Sequence, residues 1–133
     1  MSSKYTRSSA IVAATPAASL VGKEGYGVTL SSVATVLTAT ISASATVVCK
    51  GIVLEGALTT GKASIGIIGA LAGPVRVVLG GAVSAGDALC QNNDGTWITD
   101  AGAGARVKSF IALEDGVAGQ SIEAANLTPV TLA

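Results

Sequence analysis

The stretch that most constrains the fold is residues 75–97, where short apolar runs alternate with glycine-containing turns. The first run, residues 75–79, is apolar apart from Arg76 and contains three β-branched valines, which is typical of a strand. Gly80 and Gly81 follow it, and glycine adopts positive φ without the steric cost that other residues meet. The pattern therefore predicts a strand that ends in a turn at these two glycines.

Two further turns are predicted in the same stretch. Gly86 and Asp87 form a tight corner between short apolar runs. Asp94 and Gly95 end a polar cluster, and Asp-Gly between apolar runs is a hairpin signal. Turn geometry by itself explains the aspartates, so they do not indicate a chemical site. The same order of runs and turns returns in residues 106–122, where the turn residues are Asp115, Gly116 and Gly119.

The composition also favours an all-β domain. Half of the 133 residues are apolar but only 3% are aromatic, so the core must consist mainly of Ala, Val, Ile and Leu. The 17 glycines favour many turns and short strands over helices. We predict a small β-sandwich or β-barrel-like domain at residues 27–133, preceded by an extended N-terminal arm at residues 1–26.

Charge is scarce, which bears on possible partners. Only 12% of the residues are charged, against about 25% in ordinary soluble domains, and the formal net charge is zero. Such a surface favours association, so we expect a subunit that packs against other protein. The eight Lys and Arg residues are scattered, whereas binding to nucleic acid needs them clustered. No nucleic-acid partner is predicted.

The uncharged stretch between residues 25 and 49 is long enough to span a bilayer as a helix. Ser and Thr are spread through it, however, and its many β-branched residues disfavour a helix. Small apolar and hydroxyl side chains alternate in residues 28–30 and 38–47, which predicts two strands with one inward and one solvated face. We therefore predict no membrane association.

The sequence predicts no catalytic, metal or cofactor site. It contains no histidine, the most common general base and metal ligand. Cys49 and Cys90 match no metal-ligand spacing, and each ends an apolar run, where a free cysteine behaves as a small hydrophobic residue. The serines have no base partner, and no glycine-rich segment has the ending of a phosphate loop.

The predicted arm carries the candidate contact residues. Its apolar run at residues 10–14 is too short for a secretory signal, so we expect the chain to stay in the cytosol. An aromatic side chain on a segment of small residues can anchor it to a neighbour. The candidate capsid or subunit contacts are Lys4, Tyr5, Arg7 and Tyr26.

Three phrases, at residues 81–89, 94–97 and 111–122, resemble in order and spacing the head decoration (capsid cement) proteins of tailed bacteriophages. The resemblance covers roughly residues 75–127. It implies a non-enzymatic β domain without a cofactor that binds the major capsid protein on the outer capsid surface of the virion. It also implies a homo-oligomer, with a trimer favoured, that resides in the host cytoplasm during assembly.

Two other functions are compatible with a small β-rich chain. A lipoyl-like carrier would present a modified lysine at a hairpin tip, but the clearest tip, residues 92–95, contains none. A surface-array or adhesin subunit shares the Ser/Thr/Gly-rich composition but needs export, and the sequence shows no export signal.

Overall fold

The computed structural model describes residues 10–133, and these residues form ten strands and no helix. The prediction of an all-β domain is therefore confirmed. The strands are β1 (Ile11–Pro16), β2 (Gly27–Val33), β3 (Val36–Ile41), β4 (Gly51–Glu55), β5 (Ala63–Ile67), β6 (Val75–Val78), β7 (Ala88–Gln91), β8 (Trp97–Thr99), β9 (Arg106–Ala112) and β10 (Ser121–Leu132).

The first five strands close into a barrel in the order β1-β3-β2-β4-β5. Its interior contains small and medium apolar side chains, as the scarcity of aromatic residues predicts. In β2 and β3, Val28 and Ala39 are fully buried and Thr40 faces solvent, but Thr38 is also buried, so the predicted alternation is incomplete. The strand predicted at residues 38–47 ends at Ile41, and residues 42–47 belong to the loop before β4. The buried side chains of the barrel are Ala14, Leu20, Val28, Ala39, Val53, Ala63 and Ile65.

The last five strands form a second sheet in the order β6-β10-β9-β7-β8. Its centre is an edge-to-face pair of Trp97 and Phe110, with ring centroids 4.8 Å apart. Cys49, Ile52 and Ile68 extend this apolar cluster to the barrel side. The indole Nε1 of Trp97 also donates a hydrogen bond to the Gly25 carbonyl oxygen at 3.2 Å. Side chains from the barrel and from the second sheet thus pack together in this cluster, which is separate from the cluster inside the barrel.

The predicted N-terminal arm is wrong from residue 11 onward. Strand β1 pairs with β5 from Ile11 to Ala14 and with β3 at Thr15 and Pro16, so it closes the barrel. Leu20 is buried in the barrel core. The run was too short and its side chains too small for the sequence to indicate a strand. Residues 1–9 lie outside the described residues.

The predicted turn glycines divide into two kinds. Gly86, Gly95 and Gly119 have φ of 91°, 87° and 85°, which confirms the predicted turns there. The other three predicted turn glycines, Gly80, Gly81 and Gly116, do not have positive φ, so this conformation does not explain why glycine occurs there. A Cβ on Gly116 would lie 2.7 Å from the Leu79 side chain, and one on Gly80 would collide with the Thr96 hydroxyl. These two glycines permit close packing. A Cβ on Gly81 would be tolerated.

Candidate interaction surfaces

The two thiols lie in the core and not on a surface. Both cysteines are free and buried, as the sequence predicted. Burial raises the pKa of the Cys49 thiol to about 12. It also raises the pKa of Cys90 to about 11, with a further increase from the Asp100 carboxylate. Thiols with such pKa values stay protonated near neutral pH and are poor nucleophiles.

The carboxylates in the described turns are used by the fold. Asp87 accepts hydrogen bonds from Ser84 N at 3.0 Å and from the Thr99 hydroxyl at 3.1 Å. Asp94 accepts one from Thr96 N at 3.0 Å. Asp100 accepts the Gly102 N–H and pairs with Arg106, and these contacts lower its pKa. These hydrogen bonds and this ion pair stabilise the turns, so turn structure is enough to explain why aspartate occurs at these positions.

Residues 10–133 contain no cluster of three or more His, Cys, Asp or Glu side chains that could hold a metal ion. The surface of this part of the chain also has no pocket. None of its segments is a helix long and apolar enough to cross a membrane. A binding site formed by residues 10–133 must therefore lie on an open part of the surface.

Among the predicted contact residues, Tyr26 lies within the described chain. It is half-buried between the barrel and the second sheet, where its carbonyl oxygen accepts a hydrogen bond from Val53 N at 3.0 Å. The Lys23 ammonium lies 4.8 Å from the centre of its ring. Tyr26 thus contributes to the fold. Lys4, Tyr5 and Arg7 lie outside the described residues.

Two loops of the second sheet cross each other and form a first exposed surface. Val83 and Gly116 exchange both backbone hydrogen bonds, at 2.9 and 3.1 Å. Gly86 N donates to Ala112 O and Gly119 N donates to Leu79 O, both at 2.8 Å. This correspondence gives a local two-fold relation, and it explains why the turn pattern occurs twice in the sequence.

The crossing-loop surface, residues 80–87 and 113–120, combines exposed apolar side chains with carboxylates. Leu113 and Val117 are about half exposed, at 47% and 55%. Asp115 is engaged, because it accepts a hydrogen bond from Ala85 N at 2.7 Å. Glu114 forms an ion pair with Arg76 at 3.2 Å. This surface contains two of the phrases that resemble decoration proteins.

A second exposed surface is the projecting hairpin, residues 29–37, at the end of β2 and β3. Residues 29–33 of β2 pair only with β3, and Val36 and Leu37 pair only with β2, because β2 leaves β4 after Val28 and β3 joins β1 at Thr38. Every residue from 31 to 37 is exposed, and none is charged. The exposed apolar side chains are Val33, Val36 and Leu37.

The turn of this hairpin has an unusual backbone. Ala34 and Thr35 have φ of 51° and 65°, which is the left-handed region that a two-residue hairpin turn requires. Asn-Gly or Asp-Gly is the ordinary choice there, and a β-branched residue such as Thr35 is an outlier. Strain of this kind is often found at functional segments. The sequence does not indicate this surface, because Ala-Thr is not a turn signal.

The described fold has a solved counterpart. It is similar to the crystal structure of the head fiber gp8.5 N base of bacteriophage phi29, with a TM-score of 0.65. The similarity covers 92% of this chain and 97% of that chain, at 15% sequence identity. No family model matches the chain, and no curated protein matches it in sequence. At this level of identity, the comparison shows that the two chains share a fold.

Proposed function

We propose that this protein is a structural protein of a phage virion that binds the outer surface of the head and stabilises the shell, without catalysis. The observation that carries the proposal is the fold shared with a phage head fiber base over nearly the whole of both chains. The three sequence phrases that resemble decoration proteins point in the same direction. They lie in the second sheet, two of them in the crossing loops.

The chemistry of the described residues suits a binding role. The thiols are buried and protonated, and the turn carboxylates named above are held in hydrogen bonds and ion pairs. Exposed apolar side chains occur on both candidate surfaces, and charge is scarce throughout the chain. Such surfaces favour contact with other protein.

The proposed partner is the major capsid protein, and the proposed bound form is a homo-oligomer, with a trimer as the resemblance implies. A subunit that binds the assembled, expanded lattice but not its unfolded or unexpanded forms stabilises that lattice by RT ln(1 + [L]/Kd) per site. Many modest contributions then accumulate across a shell. The protein would reside in the host cytoplasm during assembly and on the virion afterwards.

Co-sedimentation tests this proposal. Purified protein is mixed with expanded empty heads of the phage that encodes it and, as a control, with unexpanded heads. We expect saturable binding to the expanded heads and a higher melting temperature for decorated shells. Protein that stays in the supernatant with both kinds of head, and is missing from purified virions, would refute the proposal.

The base of a head fibre is a second candidate, which the same structural similarity favours. A cement protein covers the shell at many equivalent positions, whereas a fibre base carries an elongated projection. Cryo-electron microscopy of virions separates the two, because the first gives compact knobs on the lattice and the second gives fibres at the attachment points.

A further inference from the structure

The projecting hairpin has one open backbone edge, and the hydrogen-bond pattern identifies the groups on it. Ser42 N donates to Gly27 O on the β3 side of β2, at 2.9 Å, and Val53 N donates to Tyr26 O on the β4 side, at 3.0 Å. Backbone groups alternate in direction along a strand. The N–H and C=O groups of Leu30 and Ser32 therefore point to the β4 side, beyond the last residue that β4 pairs.

Natural proteins protect such edges with short strands, charged side chains or proline. The edges of the second sheet follow this rule: β8 has three residues, and β6 has four and includes Arg76. The end of β10 that β6 does not pair contains Pro129. The edge at residues 29–33 has neither charge nor proline, and its side chains are small or apolar.

We propose that two copies of this chain join through this edge, antiparallel about a two-fold axis near Ser32, so that their hairpins form one four-stranded sheet. A two-fold axis places the N–H groups of one open edge opposite the C=O groups of the same edge in the second copy. Such self-complementarity is the condition for an isologous contact. Residues 25–49 carry no charge, so the contact brings no like charges together and offers nothing to a charged partner.

Apolar side chains beside the axis strengthen the choice of a second copy. Leu37 is the cross-strand partner of Ser32, so the two share one face of the hairpin, and Leu37 is 42% exposed. Around a two-fold axis near Ser32, the Leu37 side chains of both copies lie on the same face of the four-stranded sheet, one on each side of the new strand pair.

This inference does not depend on the proposed head-binding function. A two-fold contact joins copies in pairs, and it would join two trimers if the trimer forms through another surface. Loss of the contact therefore halves the mass of the assembly in either case, whereas loss of head binding is measured separately by co-sedimentation.

Sedimentation velocity of the full chain over a dilution series tests the contact. Ser32→Pro removes an N–H that points to the open edge, and proline is tolerated at such edge positions. We expect Ser32→Pro to halve the sedimenting mass of the wild type and Ser32→Ala to leave it unchanged. A wild type that is monomeric at every concentration, or a Ser32→Pro variant with the wild-type mass, overturns the proposal.

Two further variants keep the test decisive if Ser32→Pro fails to fold. Ser32→Lys places two like charges at the axis on an exposed position and is also expected to halve the mass. Ser32→Cys is expected to form a disulfide between copies on mild oxidation, because opposed residues of paired strands have suitable Cα separations. Ser19→Cys, on an exposed loop of the barrel, is the control and is expected to run as a monomer on non-reducing gels. Equal cross-linking of the two variants overturns the proposal.

Discussion

At the residue scale, one buried amide connects the loop between β3 and β4 to the second sheet. Gln91, in β7, is 1% exposed. Its Oε1 accepts a hydrogen bond from Cys49 N at 3.1 Å, and its Nε2 donates to Ser44 O at 2.8 Å and to Val47 O at 2.5 Å. A segment without regular structure thus obtains backbone partners from one side chain, which satisfies the requirement that buried polar groups be paired.

Gln91→Ala should destabilise the protein by about 3 kcal/mol, because it leaves buried backbone groups without partners and opens a cavity. Urea unfolding followed by tryptophan fluorescence measures the change. The matched control is Gln120→Ala, whose Oε1 accepts one hydrogen bond, from Val117 N, on the exposed crossing loops. We expect the control to change the free energy of unfolding by about 0.5 kcal/mol. Equal effects of the two variants would contradict this role for Gln91.

Two glycines with the same backbone conformation allow a second test at this scale. Gly86 and Gly95 have φ of 91° and 87°. A Cβ on Gly86 would meet no atom within 4 Å, but one on Gly95 would lie 2.8 Å from Ile41 and 3.0 Å from Tyr26. Gly86→Ala should therefore cost about 1 kcal/mol for positive φ alone, and Gly95→Ala at least about 1 kcal/mol more for overpacking. Similar melting temperatures for the two variants would show that steric contact at Gly95 is unimportant.

At the scale of elements, the sequence predicted the strands of the second sheet well and those at the start of the barrel poorly. The hairpin between β7 and β8 lies where Asp94 and Gly95 indicated it, and Gly95 has the positive φ that glycine adopts readily. Strand β1 was interpreted as part of an arm because its pattern is short and alanine-rich. A strand of that kind is stabilised by pairing with β3 and β5, which are distant in sequence.

The projecting hairpin could not be identified from the sequence for a different reason. Its turn residues, Ala34 and Thr35, are not those that the left-handed conformation favours, so local preference and observed structure disagree. Its exposure also depends on where β4 and β1 stop pairing, which no local pattern records. By contrast, the crossing-loop surface was visible in part, because its turn residues Asp115, Gly116 and Gly119 were predicted.

Replacement of Ala34 by Asn together with Thr35 by Gly should stabilise the hairpin. These residues adopt positive φ more readily, so we expect the free energy of unfolding to rise by about 1–2 kcal/mol. Urea unfolding measures it. Thr40→Gly, at an exposed position of β3 for which no positive φ is recorded, is the control and should lower stability by about 1 kcal/mol. A double variant less stable than the wild type would mean that Ala34 and Thr35 are not strained.

At the scale of the whole molecule, the apolar cluster in which barrel residues pack against the second sheet predicts a single unfolding transition. Cys49 belongs to this cluster, whereas Cys90 lies in β7 outside the cluster, so the two thiols report on different parts of the buried interior. Both are buried, and both have a raised pKa. Each thiolate therefore becomes available only when its surroundings open.

A thiol reagent should consequently modify neither cysteine in the folded protein and both together along a urea titration. Mass spectrometry after pulsed labelling measures the modification at each position. A Ser19→Cys variant controls for reagent activity, since that exposed thiol should react at once without urea. Modification of Cys49 and Cys90 at different urea concentrations would show that the junction with the barrel and strand β7 open separately, which contradicts a single transition.

Two truncations test the role of the chain's first part in the complete molecule. Removal of residues 2–20 eliminates β1, which pairs with β3 and β5, and the buried side chain of Leu20. An open barrel loses much of its core, so we expect this variant to show no cooperative thermal unfolding. Removal of residues 2–9 leaves all ten described strands in place, and we expect a melting temperature within a few degrees of the wild type.

If Lys4, Tyr5 and Arg7 contact the capsid, the shorter truncation should fold and yet fail to co-sediment with expanded heads. A shorter variant that binds heads as tightly as the full chain would assign the contact to the described surfaces, where the crossing loops are the next to be tested.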